Sequence, residues 1–164
     1  MTAAKKRFLV FGLMALAILL VAVLAPVIAT HDPNSSVLAD AVQSPSGEHW
    51  FGTDKMGRDL FSRVIFGTRT SILSTMVLVL SILFVGGTLG IVAGYVGGMV
   101  ETVIMRVADM MVSFPGMALA IALAGMLGGS ITSAILAIMA VSWTKYARLA
   151  RSLVLKVKHQ DYVL

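Results

Sequence analysis

Residues 71–98 read SILSTMVLVLSILFVGGTLGIVAGYVGG and carry no charged side chain. As a helix rising about 1.5 Å per residue, this stretch crosses a bilayer core of about 30 Å with length left for tilt. Its second half places Gly86, Gly90, Gly94 and Gly98 four residues apart. On a helix that spacing draws one narrow stripe without side chains. In lipid, helices gain little by hiding apolar surface from tails that are equally apolar. They associate where small residues let backbones approach. The stripe therefore predicts a packing seam against another membrane helix, and a polytopic assembly rather than a lone anchor.

Composition agrees. The chain is 58% hydrophobic and 13% charged, whereas soluble domains average about 25% charged residues. The net charge of +5 does not point to nucleic acid, because the basic residues gather at the ends of apolar runs, where orientation charges belong. With no cysteine, disulfides, zinc–cysteine sites and thiol nucleophiles are excluded.

Outward from the central stretch, Lys5, Lys6 and Arg7 precede an apolar run over residues 8–29. A basic start and an apolar run also describe a signal peptide, but about 22 residues exceed the usual 7–15 of a signal core. A retained first transmembrane helix is expected. Residues 31–50 hold turn formers and no helical period, so they read as loop. Residues 59–67 place Leu60, Val64 and Gly67 on one face, with Asp59 and Arg63 at i and i+4. A short amphipathic helix on the outer surface is expected there; an extension of the next span is the alternative. Thr53 and Asp54 are candidate helix caps, and Gly57 suits a tight turn.

Beyond Gly98, a third span carries Arg106, Asp109 and Ser113, which can share a helix face. Ionisable groups within a span face protein or water; placement at the membrane interface, where Arg can snorkel, is the expectation for these residues. Pro115 cannot donate a backbone hydrogen bond, so a kink or a helix start is expected there. Gly128 and Gly129 make a turn before a fourth span over residues 130–147, with Trp143 at the interface. Lys145, Arg148, Arg151, Lys156 and Lys158 then punctuate apolar positions, as in a basic amphipathic helix leaving the membrane.

The resulting fold class is an all-α membrane protein, a polytopic bundle of four transmembrane helices. Its divisions are residues 1–29, a first helix; 30–70, an extracytoplasmic loop; and 71–164, a membrane core. The loop balances Lys55, Arg58, Arg63 and Arg69 against Asp32, Asp40, Glu48, Asp54 and Asp59, while both ends are basic. The positive-inside rule puts both ends in the cytoplasm.

No catalytic, cofactor or metal site follows from the residues. There is no phosphate-binding G-x-x-x-x-G-K-[ST] and no H-E-x-x-H. His31, His49 and His159 lack metal-ligand spacing, and His49 reads as a solvated loop histidine.

Three strings carry a resemblance. Residues 49–71 read HWFGTDKMGRDLFSRVIFGTRTS, residues 94–115 read GYVGGMVETVIMRVADMMVSFP, and residues 143–151 read WTKYARLAR, with Asp161-Tyr162-Val163 downstream. In this order they resemble signatures of the permease subunits of ABC importers for dipeptides, oligopeptides and nickel. The resemblance implies a permease that shares a translocation path with a second permease subunit, powered by cytoplasmic ATPases that bind ATP and magnesium. An extracytoplasmic solute-binding protein delivers cargo. This chain would bind no cofactor itself, and its other contact is membrane lipid.

By resemblance, Gly52, Thr53, Asp54, Gly57, Arg58 and Asp59 form the outer-loop signature. Arg106, Asp109, Ser113 and Pro115 form a third-span network and kink. Tyr146, Arg148, Arg151, Asp161 and Tyr162 approach the ATPase coupling loop. In the family a Glu-Ala-Ala-type helix and about two more spans follow, so the chain reads as a truncated permease of the plasma (inner) membrane. A non-transporting anchor or assembly fragment is the alternative.

Overall fold

The computed structural model describes residues 3–158. Among them every regular element is helical: α1 (Ala3–Ile28), a 3-10 turn (Leu38–Asp40), α2 (Leu60–Val96), α3 (Gly98–Ser113), α4 (Gly116–Met126) and α5 (Ile131–Lys158). The chain divides into two compact units, Met1–Leu73 and Ser74–Leu164.

In the first unit, α1 beyond Arg7 is apolar all round and broadly exposed, with Ala22 and Ala25 buried near its end. Such a surface suits lipid or neighbouring helices rather than water. Residues 29–59 fold back on the start of α2. The His31 amide donates to Ser62 Oγ at 3.0 Å, and one Arg63 nitrogen reaches the Pro33 carbonyl at 3.4 Å. Trp50 and Phe51 pack on Phe61, with ring centroids 4.8 and 5.3 Å apart. The short amphipathic helix expected near residue 60 is not a separate element. Its residues form the first turns of α2, which runs on without a break. At 37 residues, α2 measures about 55 Å, far more than a hydrocarbon core requires.

In the second unit, α5 packs against the glycine-bearing half of α2 and against α3 and α4. A Cβ added to Gly86 would stand 2.6 Å from the Trp143 carbonyl oxygen, one on Gly90 2.3 Å from that of Ala147, and one on Gly94 2.9 Å from Val154 Cβ. Gly98 is not part of this seam. The α2 helix ends at Val96, Gly97 and Gly98 take left-handed φ of 72° and 56°, and nothing lies within 4 Å of a Gly98 Cβ. The register of the stripe is lost because α2 stops two residues short of Gly98.

Pro115 separates α3 from α4, whose axes are bent by 92°. Among the described residues, α1 and α2 are each long and apolar enough to cross a membrane, and α3 with α4 makes a third crossing if the bent pair is one span. The four spans expected from the sequence are not confirmed among the described residues. At 16 and 11 residues, α3 and α4 reach only about 24 and 17 Å. Residues 131–143 of α5 give about 20 Å before Lys145, Arg148 and Arg151 interrupt the run.

The seam makes a clear prediction. Gly90→Leu forces a side chain into the α5 backbone and lowers stability by about 1–3 kcal/mol. Gly87→Ala, whose Cβ meets nothing within 4 Å, leaves it unchanged or slightly raised. Thermal unfolding in detergent compares the two.

Candidate functional site

Two clusters hold most of the residues singled out in the sequence. The first is the knot formed by the segment after α1 and the start of α2. Asp54 organises a tight turn: its Oδ1 accepts from the Met56 amide at 2.8 Å and from the Arg58 amide at 3.1 Å, and its Oδ2 accepts from Arg58 Nε at 2.8 Å. Gly57 closes that turn with φ 71°, and a Cβ there would collide with the Val37 carbonyl at 1.8 Å. Gly52, at φ 74°, is similarly pressed on Gln43. The Thr53 hydroxyl donates to the Asp40 carbonyl and accepts from the Gln43 amide at 2.8 Å.

Asp59, not Thr53 or Asp54, caps α2. Its Oδ2 accepts from the Ser62 amide at 2.7 Å, satisfying one of the amides left free at a helix start. Its Oδ1 lies 3.0 Å from His49 Nδ1, so Asp59 pairs with His49 rather than with Arg63. His49 is buried, not solvated; the pairing with a carboxylate ten residues away is what makes burial tolerable. Arg63 turns towards Asp54 at 3.8 Å.

Burial alone raises the pKa of Asp59, but hydrogen bonds from the Ser62 amide and hydroxyl and from His49, with the nearby charge of His31, outweigh it and hold it below 3.8. In Asp54, partial burial is likewise outweighed by the Arg58 and Met56 hydrogen bonds. A carboxylate lowered on folding stabilises the fold above its unfolded pKa and loses that effect as pH falls through the folded one.

The second cluster joins α3 and α5. Arg151 donates through Nε to Glu101 Oε1 at 2.6 Å. Arg148 reaches Asp109 at 2.9 Å and the Ala108 carbonyl at 3.2 Å. With exposed Arg106 they line a cleft of about 640 Å³. Arg106, Asp109 and Ser113 do not form a network among themselves. Ser113 Oγ donates to its own helix at the Met110 carbonyl, and Arg106 takes part in no ion pair among the described residues. The partners of Asp109 and Glu101 come from about 40 and 50 residues away, a distance at which helix periodicity carries no signal. Tyr146 stands beside Gly86 in the seam. Asp161 and Tyr162 lie outside the described residues.

Comparison with known proteins gives the family. Residues 86–164 match the family described as binding-protein-dependent transport system inner membrane component. The probable D,D-dipeptide transport system permease protein of Escherichia coli (strain K12) is 46% identical over 145 residues, covering 88% of this chain and 49% of that protein. The nickel transport system permease protein of the same strain is 40% identical over 155 residues, 91% of this chain and 56% of that one. A dipeptide transport system permease protein of Alkalihalophilus pseudofirmus is 35% identical over 161 residues, 98% and 53% respectively. The chain belongs to this family of inner-membrane transport components. It spans about half the length of the curated relatives it matches.

Two outcomes follow from the geometry. The amides of Ser62 and Arg58 stay protected from hydrogen exchange at neutral pH and lose protection only as pH falls through the lowered pKa values of the two carboxylates, below the usual carboxylate range. Glu101→Arg and Arg151→Glu each loosen the α3–α5 contact, and the double exchange restores it, read as unfolding temperature in a double-mutant cycle.

Proposed function

We propose that this chain supplies permease helices to an ATP-driven importer. It contributes part of the translocation path for peptides or nickel handed over by a solute-binding protein. The observation that carries this reading is the extent of similarity: permeases named for dipeptides and for nickel align along about nine-tenths of the chain. The partners are a second permease subunit, cytoplasmic ATPases that bind ATP and magnesium, and the extracytoplasmic binding protein, with lipid around the helices. Chemistry on ATP resides in those ATPases, and this chain is not itself an enzyme.

In the inner membrane the chain makes four passages with both ends cytoplasmic. The fourth uses the short apolar part of α5, with Lys145 reaching to the interface and the bilayer thinning locally. The functional divisions fall at residues 1–29, 30–70 and 71–164. Gly52, Thr53, Asp54, Gly57, Arg58 and Asp59 shape the outer loop rather than touch cargo. Their bonds go to one another and to the neighbouring loop and helix start, which supports that role. Asp109, paired with Arg148, steadies the helices beside the path, while Arg106, Ser113 and Pro115 shape the same span. Tyr146, Arg148, Arg151, Asp161 and Tyr162 lead towards the ATPase contact. Transport proceeds by alternating access, with ATP binding reshaping the helices around the path.

Co-purification of the full-length subunit with an ATPase pair and a second permease supports the importer. Recovery alone, without those subunits, favours a membrane anchor or assembly role. In the full-length protein Asp109→Asn lowers uptake several-fold without loss of assembly; unchanged uptake removes the proposed steadying role. Competition of di- and oligopeptides against nickel identifies the cargo.

A further inference from the structure

The outer loop brings together three groups that no transport role employs. His31 follows α1, and Glu48 and His49 lie 17 and 18 residues further on. One ligand atom from each, two ring nitrogens and a carboxylate oxygen, lie within 4.8 Å of one another. The imidazole rings of His31 and His49 are 4.7 Å apart between centroids.

His49 is arranged as a metal-binding histidine is. It is buried, and Nδ1 faces Asp59 Oδ1 at 3.0 Å. With the proton on Nδ1 donated to that carboxylate, Nε2 keeps its lone pair. A carboxylate behind a histidine fixes tautomer and ring orientation and raises the basicity of the coordinating nitrogen. Asp59 is in turn held by the Ser62 amide at 2.7 Å, so the second shell is anchored to the start of α2. The other two donors belong to exposed side chains.

We infer that His31, Glu48 and His49 form a site for a single first-row divalent cation of the zinc class. Two imidazoles and one carboxylate suit zinc, copper or nickel, whereas magnesium and calcium prefer all-oxygen sets. Donors about 2.1 Å from a tetrahedral ion stand about 3.4 Å apart. Rotation of the exposed His31 and Glu48 side chains closes the remaining gap while His49 stays in place. Three protein ligands leave the fourth position to water. The ion would clip the segment after α1 to the loop preceding Trp50, adding a cross-link where the chain has no disulfide.

Titration of the whole chain tests this. The protein is purified in detergent without a histidine tag and titrated calorimetrically with zinc chloride, with magnesium chloride as the control. The expected result is one zinc per chain and no saturable magnesium binding. Glu48→Gln and His31→Asn each weaken zinc binding at least tenfold, with far-UV circular dichroism unchanged. Cobalt provides a second readout that does not depend on these variants: one equivalent gives the visible absorption of a tetrahedral ion. No saturable zinc binding, or zinc bound equally by the His31→Asn/Glu48→Gln double variant, overturns the assignment. So does a cobalt spectrum of purely octahedral type.

Discussion

Two helix backbones touch where α2 meets α5, and the second unit depends on that contact. Carbonyl oxygens of Trp143 and Ala147 occupy the places where side chains of α2 would stand at Gly86 and Gly90. No apolar residue, however small, gives the same approach, because a Cβ at Gly90 would lie 2.3 Å from a backbone atom that cannot rotate away. In lipid this matters more than in water, since dispersion contact between surfaces replaces the hydrophobic drive. With α5 fixed on α2, Arg148 and Arg151 reach the acids of α3.

The knot before α2 rests on a different device. Asp59 ends an irregular segment and starts a helix, and each of its oxygens is committed: one to the Ser62 amide, the other to His49. Around it, Thr53 pairs with the Asp59 backbone in a single antiparallel bridge, and the Asp54 turn draws in Arg58. A segment without regular structure is thus held by polar groups that satisfy one another, as buried polar groups must.

Much of the architecture was legible because membrane helices announce themselves by length and apolarity. The first helix, the long central helix and the glycine stripe could be read from local pattern alone, as could the break at Pro115. What the sequence did not disclose was where helices stop and what charged groups meet. Gly98 looks like a continuation of the stripe, yet positive φ at Gly97 and Gly98 ends the helix. Asp59 and Arg63 have the spacing of a helical ion pair, but Asp59 sits at the cap and turns to His49. Glu101 and Asp109 find their partners on α5, which only the packing of distant helices decides. Composition along a line also does not reveal the right-angle turn between α3 and α4.

That turn has a consequence for solvation. The α4 helix begins at Gly116 behind a proline that offers no side-chain cap, so its opening amides point outward unsatisfied by their own helix. Hydrocarbon does not tolerate such groups, and irregular backbone at membrane depth survives only inside protein or beside water. If α3 and α4 together form one crossing, the corner at Pro115 is a place from which lipid is excluded, and water or a neighbouring polypeptide meets those amides.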